Sequence, residues 1–288
     1  MNTDGDLLSK RELLDIFVHH RVDSPFPGDW ESIFKGSGYE FWGLREMEPG
    51  DPFKNIDWKA TAKTRQYYVR EYLAESYFTL MILYDVSAST AFGRKELLQA
   101  NIAVSLAYSA IAANNGCGVI TFADDVRDYV PPRMGMSHFM QIVNAIVEAS
   151  PVECSQTRID YSLTKLVNEM PESLTFILSD FMYPLEFPFN FQRAAHGTNK
   201  HEVKALQILE ESEVELPRDT HGMIPLYDCE TGERILLDMN RALEYNEDRR
   251  AQLRKIKDRL NKAGIDHLII TPADDFRRKI NAFMRETM

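Results

Sequence analysis

The pattern of hydrophobic and polar positions changes character near residue 76. Before it, aromatic and apolar residues between positions 36 and 73 form short segments around a Pro- and Gly-containing turn at 48–52, a pattern that predicts short strands. Trp58 is expected to anchor the core of this part. After residue 76, apolar runs alternate with stretches of helical periodicity. Residues 77–84 form a nearly continuous apolar run, typical of a strand buried on both faces of a parallel sheet.

The alternation from residue 77 onward predicts an α/β domain. We predict strands at 77–84, 118–123, 126–130, 174–179, 203–209 and 265–271, and helices at 95–114, 136–149, 159–170, 192–198, 241–263 and 272–284. Strands and helices in this order favour a doubly wound, mostly parallel sheet with helices on both faces.

One segment interrupts the alternation. Residues 223–228 and 233–238 read as a β-hairpin with Gly232 in the turn. We expect this hairpin to leave the main sheet and to pack with the N-terminal strands in a small β subdomain. The predicted organisation is therefore an N-terminal segment, 1–75, with an amphipathic helix at 6–18, packing with hairpin 223–238, and an α/β domain at 76–288.

Composition and charge narrow the possible functions. Hydrophobic residues make up 44% of the 288-residue chain and charged residues 27%, as in an ordinary globular protein. The net charge of −11 disfavours binding to nucleic acids, whose phosphates would be repelled. Three scattered cysteines do not suggest a disulfide framework or a zinc site. No signal peptide or membrane-spanning stretch is apparent, so we expect a cytoplasmic protein.

Oxygen-bearing side chains follow several of the predicted strands. Asp85, Ser87 and Ser89 come directly after the first strand of the α/β domain, Asp180 follows the strand at 174–179, and Thr157 precedes a helix. Ligands bind outside the carboxyl ends of strands in such sheets, and hard divalent cations prefer oxygen ligands. The same residues could instead cap the helices that follow them, and the spacing alone leaves both interpretations open.

Two sets of residues in the chain resemble known groups of proteins. The Asp-x-Ser-x-Ser segment, the later Thr157 and the later Asp180 resemble the metal-ion-dependent adhesion site of von Willebrand factor type A domains. Further segments of the chain resemble the domain of unknown function 58 family. They are Gly38–Phe41, Leu44–Glu46, Pro49–Asp51, Asn55–Lys59 and Val69–Glu71, together with Leu206–Leu209 and Glu215–Pro217.

This resemblance implies a fold, a cofactor and partners. The fold would be a Rossmann-like von Willebrand factor type A domain. Asp85, Ser87, Ser89, Thr157 and Asp180 would hold Mg²⁺, with Mn²⁺ or Ca²⁺ as alternatives. The protein would be a metal-dependent interaction module, an adaptor or co-chaperone for a MoxR-type AAA+ ATPase. A client protein would offer an acidic residue to the metal. Arg158, next to Thr157, is a candidate partner for Asp180.

A metal-assisted hydrolase using Asp85 and Asp180 on one cation is the alternative. Hydrolysis would need a general base or nucleophile nearby, and we expect no histidine or lysine beside these loops. The sequence also lacks a phosphate-binding G-x-x-x-x-G-K-[ST] motif and a G-x-S-x-G nucleophile motif. We therefore expect a binding module and not an enzyme.

Overall fold

A computed structural model describes residues 40–48, 56–64, 66–73, 78–152, 157–170, 172–188, 201–217, 222–227 and 234–287. The described residues divide into two compact units, one that ends at Phe78 and one that begins at Thr79, and each is described by itself. The helices predicted at 6–18 and 192–198 lie outside the described residues.

The unit before Thr79 contains an antiparallel strand pair, β1 (Glu40–Glu46) and β2 (Tyr68–Leu73), joined through helix α1 (Trp58–Thr64). The short strands were predicted, but α1 was not. It begins where the carboxylate of Asp57 accepts the N–H groups of Lys59 and Ala60. The expectation for Trp58 was wrong. Its side chain is 63% exposed, and its ring meets that of Tyr67 edge to face at 6.5 Å.

The unit after Phe78 is built on a six-stranded sheet. Its strands are β3 (Thr79–Asp85), β4 (Gly116–Phe122), β5 (Val126–Arg133), β6 (Ser173–Ser179), β7 (His201–Ile208) and β10 (Asp266–Ile270). The spatial order is β10-β7-β6-β3-β4-β5, and only β5 is antiparallel to its neighbour. Starting from β3, this is the 3-2-1-4-5-6 order of a Rossmann-like sheet. The predicted Rossmann-like von Willebrand factor type A architecture is confirmed.

The helices follow the predicted alternation. They are α2 (Lys95–Ala112), α3 (Met136–Glu148), α4 (Ile159–Glu169), α5 (Glu211–Val214), α6 (Ala242–Lys262) and α7 (Phe276–Glu286); only the four-residue α5 was not predicted. On one face of the sheet, Met81 and Ile177 join a core that includes Leu163 of α4 and Leu260 of α6. Burial of both faces explains the unbroken apolar runs of the central strands.

The hairpin was predicted correctly as a separate element. Strands β8 (Met223–Tyr227) and β9 (Arg234–Asp238) pair only with each other among the described strands. Ile224 and Leu237 pack on a small cluster of Leu216, Met239 and Ala242. The association of this hairpin with the N-terminal strands stays a prediction.

Candidate metal-binding edge of the sheet

The five candidate residues lie along one edge of the sheet, at the carboxyl ends of three adjacent strands. Asp85 ends β3, and Asp180 directly follows β6, which pairs with β3 on one side. Thr157 lies by the end of β4, on the other side of β3, because the N–H of its neighbour Arg158 donates to the carbonyl of Ala123 at 2.6 Å. The parallel strands therefore gather residues that are far apart in sequence.

Asp85 is held in a fixed orientation by two hydrogen bonds. Its Oδ1 accepts the backbone N–H of Ser87 at 2.8 Å, and its Oδ2 accepts the hydroxyl of Ser179 at 2.6 Å. The first bond is an Asx turn, which bends the chain away from the strand. Sequence reasoning missed Ser179. The sequence feature that could have identified Ser179 is its position at the end of β6, immediately before Asp180.

The two candidate serines lie next to each other. Ser87 Oγ and Ser89 Oγ are 3.2 Å apart; Ser87 is buried and Ser89 half-buried. The capping alternative is not supported for Ser87, because it makes no side-chain cap bond at the short 3-10 helix Ala88–Ala91. The hydroxyl of Thr90 instead donates to the Ser87 carbonyl at 2.7 Å, which holds this turn in place.

Asp180 is buried and lies in a second turn of the same kind. Its Oδ1 accepts the N–H of Met182 at 3.1 Å, and the intervening Phe181 has a positive φ of 52°. A buried non-glycine residue in this region of φ is uncommon and is concentrated at functional sites. The side-chain amide of Gln207 donates to the Asp180 carbonyl at 2.7 Å and secures the turn from β7.

The cation beside Asp180 is a lysine that sequence reasoning did not find. Lys95 Nζ lies 3.3 Å from Asp180 Oδ2 and 2.9 Å from Glu213 Oε1. The expectation of no lysine beside these loops was therefore wrong. Lys95 is the first residue of α2, and the helix begins at the sheet edge where β3 ends. Its Nζ donates a hydrogen bond to each of these two carboxylates.

Arg158 does not take the position that its sequence neighbourhood indicated. Its guanidinium pairs with Asp160, with Nε–Oδ1 and Nη2–Oδ2 distances of 2.9 and 2.7 Å. Its Cζ also lies 4.5 Å from the centre of the Tyr161 ring. This two-pronged pair within one turn of chain holds the guanidinium locally.

The two buried carboxylates affect each other. Burial, and then the negative charge of Asp180, raise the pKa of Asp85 to about 7, although hydrogen bonds from Ser179 and Ser87 oppose the change. Two carboxylates in a low-dielectric site disfavour each other's ionised form. A positive charge bound beside Asp85 would favour its ionised form.

The donor set fits a hard divalent cation. Ligands at right angles around Mg²⁺, each about 2.1 Å from the ion, are about 3 Å apart. The 3.2 Å separation of the Ser87 and Ser89 oxygens is close to that spacing. Both Asp85 oxygens already accept hydrogen bonds, which suits a carboxylate that acts through bound water. No cluster of three or more His, Cys, Asp or Glu suited to a metal occurs among the described residues, and the predicted set contains only two of these.

The family model for "Protein of unknown function DUF58" matches residues 43–255. The chain belongs to the DUF58 family. The match begins within β1 and ends within α6, so it includes the strands that carry Asp85 and Asp180, whereas β10 lies beyond it.

Two mycobacterial proteins illustrate how far this DUF58 member resembles its relatives. It is 28% identical over 237 residues to the uncharacterized protein Rv1480 of Mycobacterium tuberculosis, covering 80% of this chain and 73% of that protein. The uncharacterized protein Mb1516 of Mycobacterium bovis gives the same values.

Solved structures also resemble this DUF58 member. BatB from Bacteroides thetaiotaomicron has a TM-score of 0.46 at 12% identity, over 73% of this chain and 98% of that one. The SpRpn10 VWA domain has a TM-score of 0.40 at 12% identity, over 72% and 95%. The strand order and the strand directions of the six-stranded sheet establish its fold. No helix among the described residues has both the length and the apolar character to cross a membrane.

Proposed function

We propose that this DUF58 protein is a divalent-cation-dependent protein-interaction module. The observation that supports this most strongly is the convergence of Asp85, Ser87, Ser89, Thr157 and Asp180 on one edge of the sheet. In this proposal the hydroxyls of the serines and the threonine and the carboxylates of the two aspartates would together hold Mg²⁺. Mn²⁺ or Ca²⁺ would be alternative ions. A carboxylate from another protein completes the coordination.

The partner in this proposal is a MoxR-type AAA+ ATPase, for which the protein serves as an adaptor or co-chaperone in the cytoplasm. The client is a protein that offers the acidic residue. This part extends the family resemblance, and the chemistry of the edge supports a binding role more than a catalytic one. Lys95 is bonded to two carboxylates, and Asp85 accepts two hydrogen bonds. Neither is arranged as a free general base.

The experiment is calorimetric titration of the full chain with MgCl₂, together with co-purification of partners with and without magnesium. Asp85→Ala should abolish both ion binding and magnesium-dependent partner capture while the far-UV circular dichroism is unchanged. Asp258→Ala is the control, because Asp258 is exposed and lies on α6, four residues before that helix ends at Lys262. Unchanged magnesium affinity in Asp85→Ala would refute the site.

A further inference from the structure

Lys95 is buried to an extent that is unusual for a lysine. Its side chain is 1% exposed, as is that of Asp180, with which it forms an ion pair. Lysine is almost never fully buried unless it is paired, because removing an ammonium from water is costly. Lys95 therefore places a positive charge beside one of the two carboxylates of the candidate metal site.

Two carboxylates share this one ammonium. Glu213, on α5, lies closer to Lys95 Nζ than Asp180 does, at 2.9 Å against 3.3 Å. The other oxygen of Glu213 accepts the backbone N–H of Glu210 at 2.8 Å, so the carboxylate is fixed in place. A carboxylate at this position draws the positive charge away from Asp180.

The junction between Glu213 and the start of α2 is a defined contact. The carboxylate of Glu210 accepts the backbone N–H of Arg94, and the Arg94 guanidinium lies 3.2 Å from Glu211 Oε2. Gly93, with a φ of +63°, leaves room for the Glu210 side chain, which a Cβ at this position would overlap. The distance between Glu213 and Lys95 is therefore set by the fold on both sides.

We propose that Lys95 is a built-in counter-ion that competes with the divalent cation for Asp180, and that Glu213 sets how strongly it competes. This inference rests on the proposed function, because it concerns the same site. An ammonium a few ångströms from a divalent ion repels it, and the repulsion is weakly screened in a buried site. Lys95 thereby holds the affinity for the free ion low, so that tight binding needs the additional carboxylate of a partner.

The proposal predicts opposite effects for the two partners of the ion pair. Lys95→Met removes the competing charge and should tighten Mg²⁺ binding by about tenfold or more. In Glu213→Gln, Asp180 is the carboxylate that remains to pair with Lys95. The ammonium should then compete more strongly with Mg²⁺, so that Mg²⁺ binding weakens. In the double variant, Glu213→Gln should have little further effect, because its influence acts mainly through Lys95.

The test is isothermal titration of the full chain with MgCl₂, and then with MnCl₂, alongside thermal denaturation in EDTA and in each metal. Lys204→Met is a matched control. Lys204 is also 1% exposed, and its Nζ lies 2.6 Å from Asp266 Oδ2 and 3.0 Å from Glu202 Oε1. It is on β7, four residues before the strand ends. The same change of charge there should leave the Mg²⁺ affinity unchanged.

The outcomes separate the two proposals. If the wild type binds Mg²⁺ and Lys95→Met binds it with equal or lower affinity, the proposed role of Lys95 is overturned, whereas the metal site is not. Absence of binding in every variant overturns both. A general gain of affinity in Lys95→Met and Lys204→Met alike would show a non-specific effect of net charge and overturns the inference. If Lys95→Met does not fold, Glu213→Gln decides: unchanged or tighter binding contradicts the proposal.

Discussion

Replacing Asp85 by asparagine should make the metal-free protein more stable at neutral and alkaline pH. The asparagine keeps an oxygen for the N–H of Ser87, and its amide can donate to the hydroxyl of Ser179, so both hydrogen bonds of Asp85 have a replacement. The buried negative charge beside Asp180 is lost. The variant therefore removes an electrostatic cost while it preserves the local packing.

The magnitude follows from the pKa of Asp85. Burial and the charge of Asp180 raise this pKa from the ordinary value of 3.8 to about 7. Between these two values the folded state binds more protons at Asp85 than the unfolded state does, so the contribution of Asp85 to stability falls as the pH rises. The complete loss corresponds to about 4 kcal/mol of unfolding free energy. Asparagine does not titrate and should not show it.

The assay is urea denaturation of the wild type and Asp85→Asn in EDTA, from about pH 4 to about pH 8. The stability of the variant relative to the wild type should increase across this range. Added Mg²⁺ should restore stability to the wild type at the upper end but not to the variant. Asp258→Asn, an exposed control, should follow the wild type. A constant difference between Asp85→Asn and the wild type at all pH values would refute the argument.

Two predictions concern the scaffold around the site. A Cβ at Gly118 would lie 2.7 Å from the Val130 carbonyl oxygen and 2.8 Å from the Met81 sulfur, so Gly118→Ala should cost about 1–3 kcal/mol in thermal denaturation. Gly116→Ala, whose Cβ would meet nothing closer than 3.9 Å, should cost much less, and equal losses would contradict this explanation. Deleting 223–238 should expose the N-terminal strands to limited proteolysis. Unaltered protease resistance of residues 36–73 would refute the shared β subdomain.

The α/β class and most of the candidate site residues could be predicted from the amino-acid sequence. Mostly apolar runs such as residues 77–84 and 174–179 are typical of strands buried on both faces, so the central sheet could be predicted from them. Polar residues just after such runs lie at the carboxyl edge of a parallel sheet, so Asp85 and Asp180 could be predicted as residues of a site there. The hairpin could be predicted because its turn and its two short strands are adjacent in the chain.

The ion pairs at that edge could not be predicted from the sequence, because they form between elements that are distant in the chain. Arg158, next to a candidate ligand in the chain, pairs with Asp160, whereas Lys95 reaches Asp180 from 85 positions away. Ser179 bonds to Asp85 across 94 positions. Such pairs depend on strand order and on where a helix begins relative to a neighbouring strand. Hydrophobic periodicity does not predict these pairs, because it indicates which face of an element is buried and not which elements become neighbours.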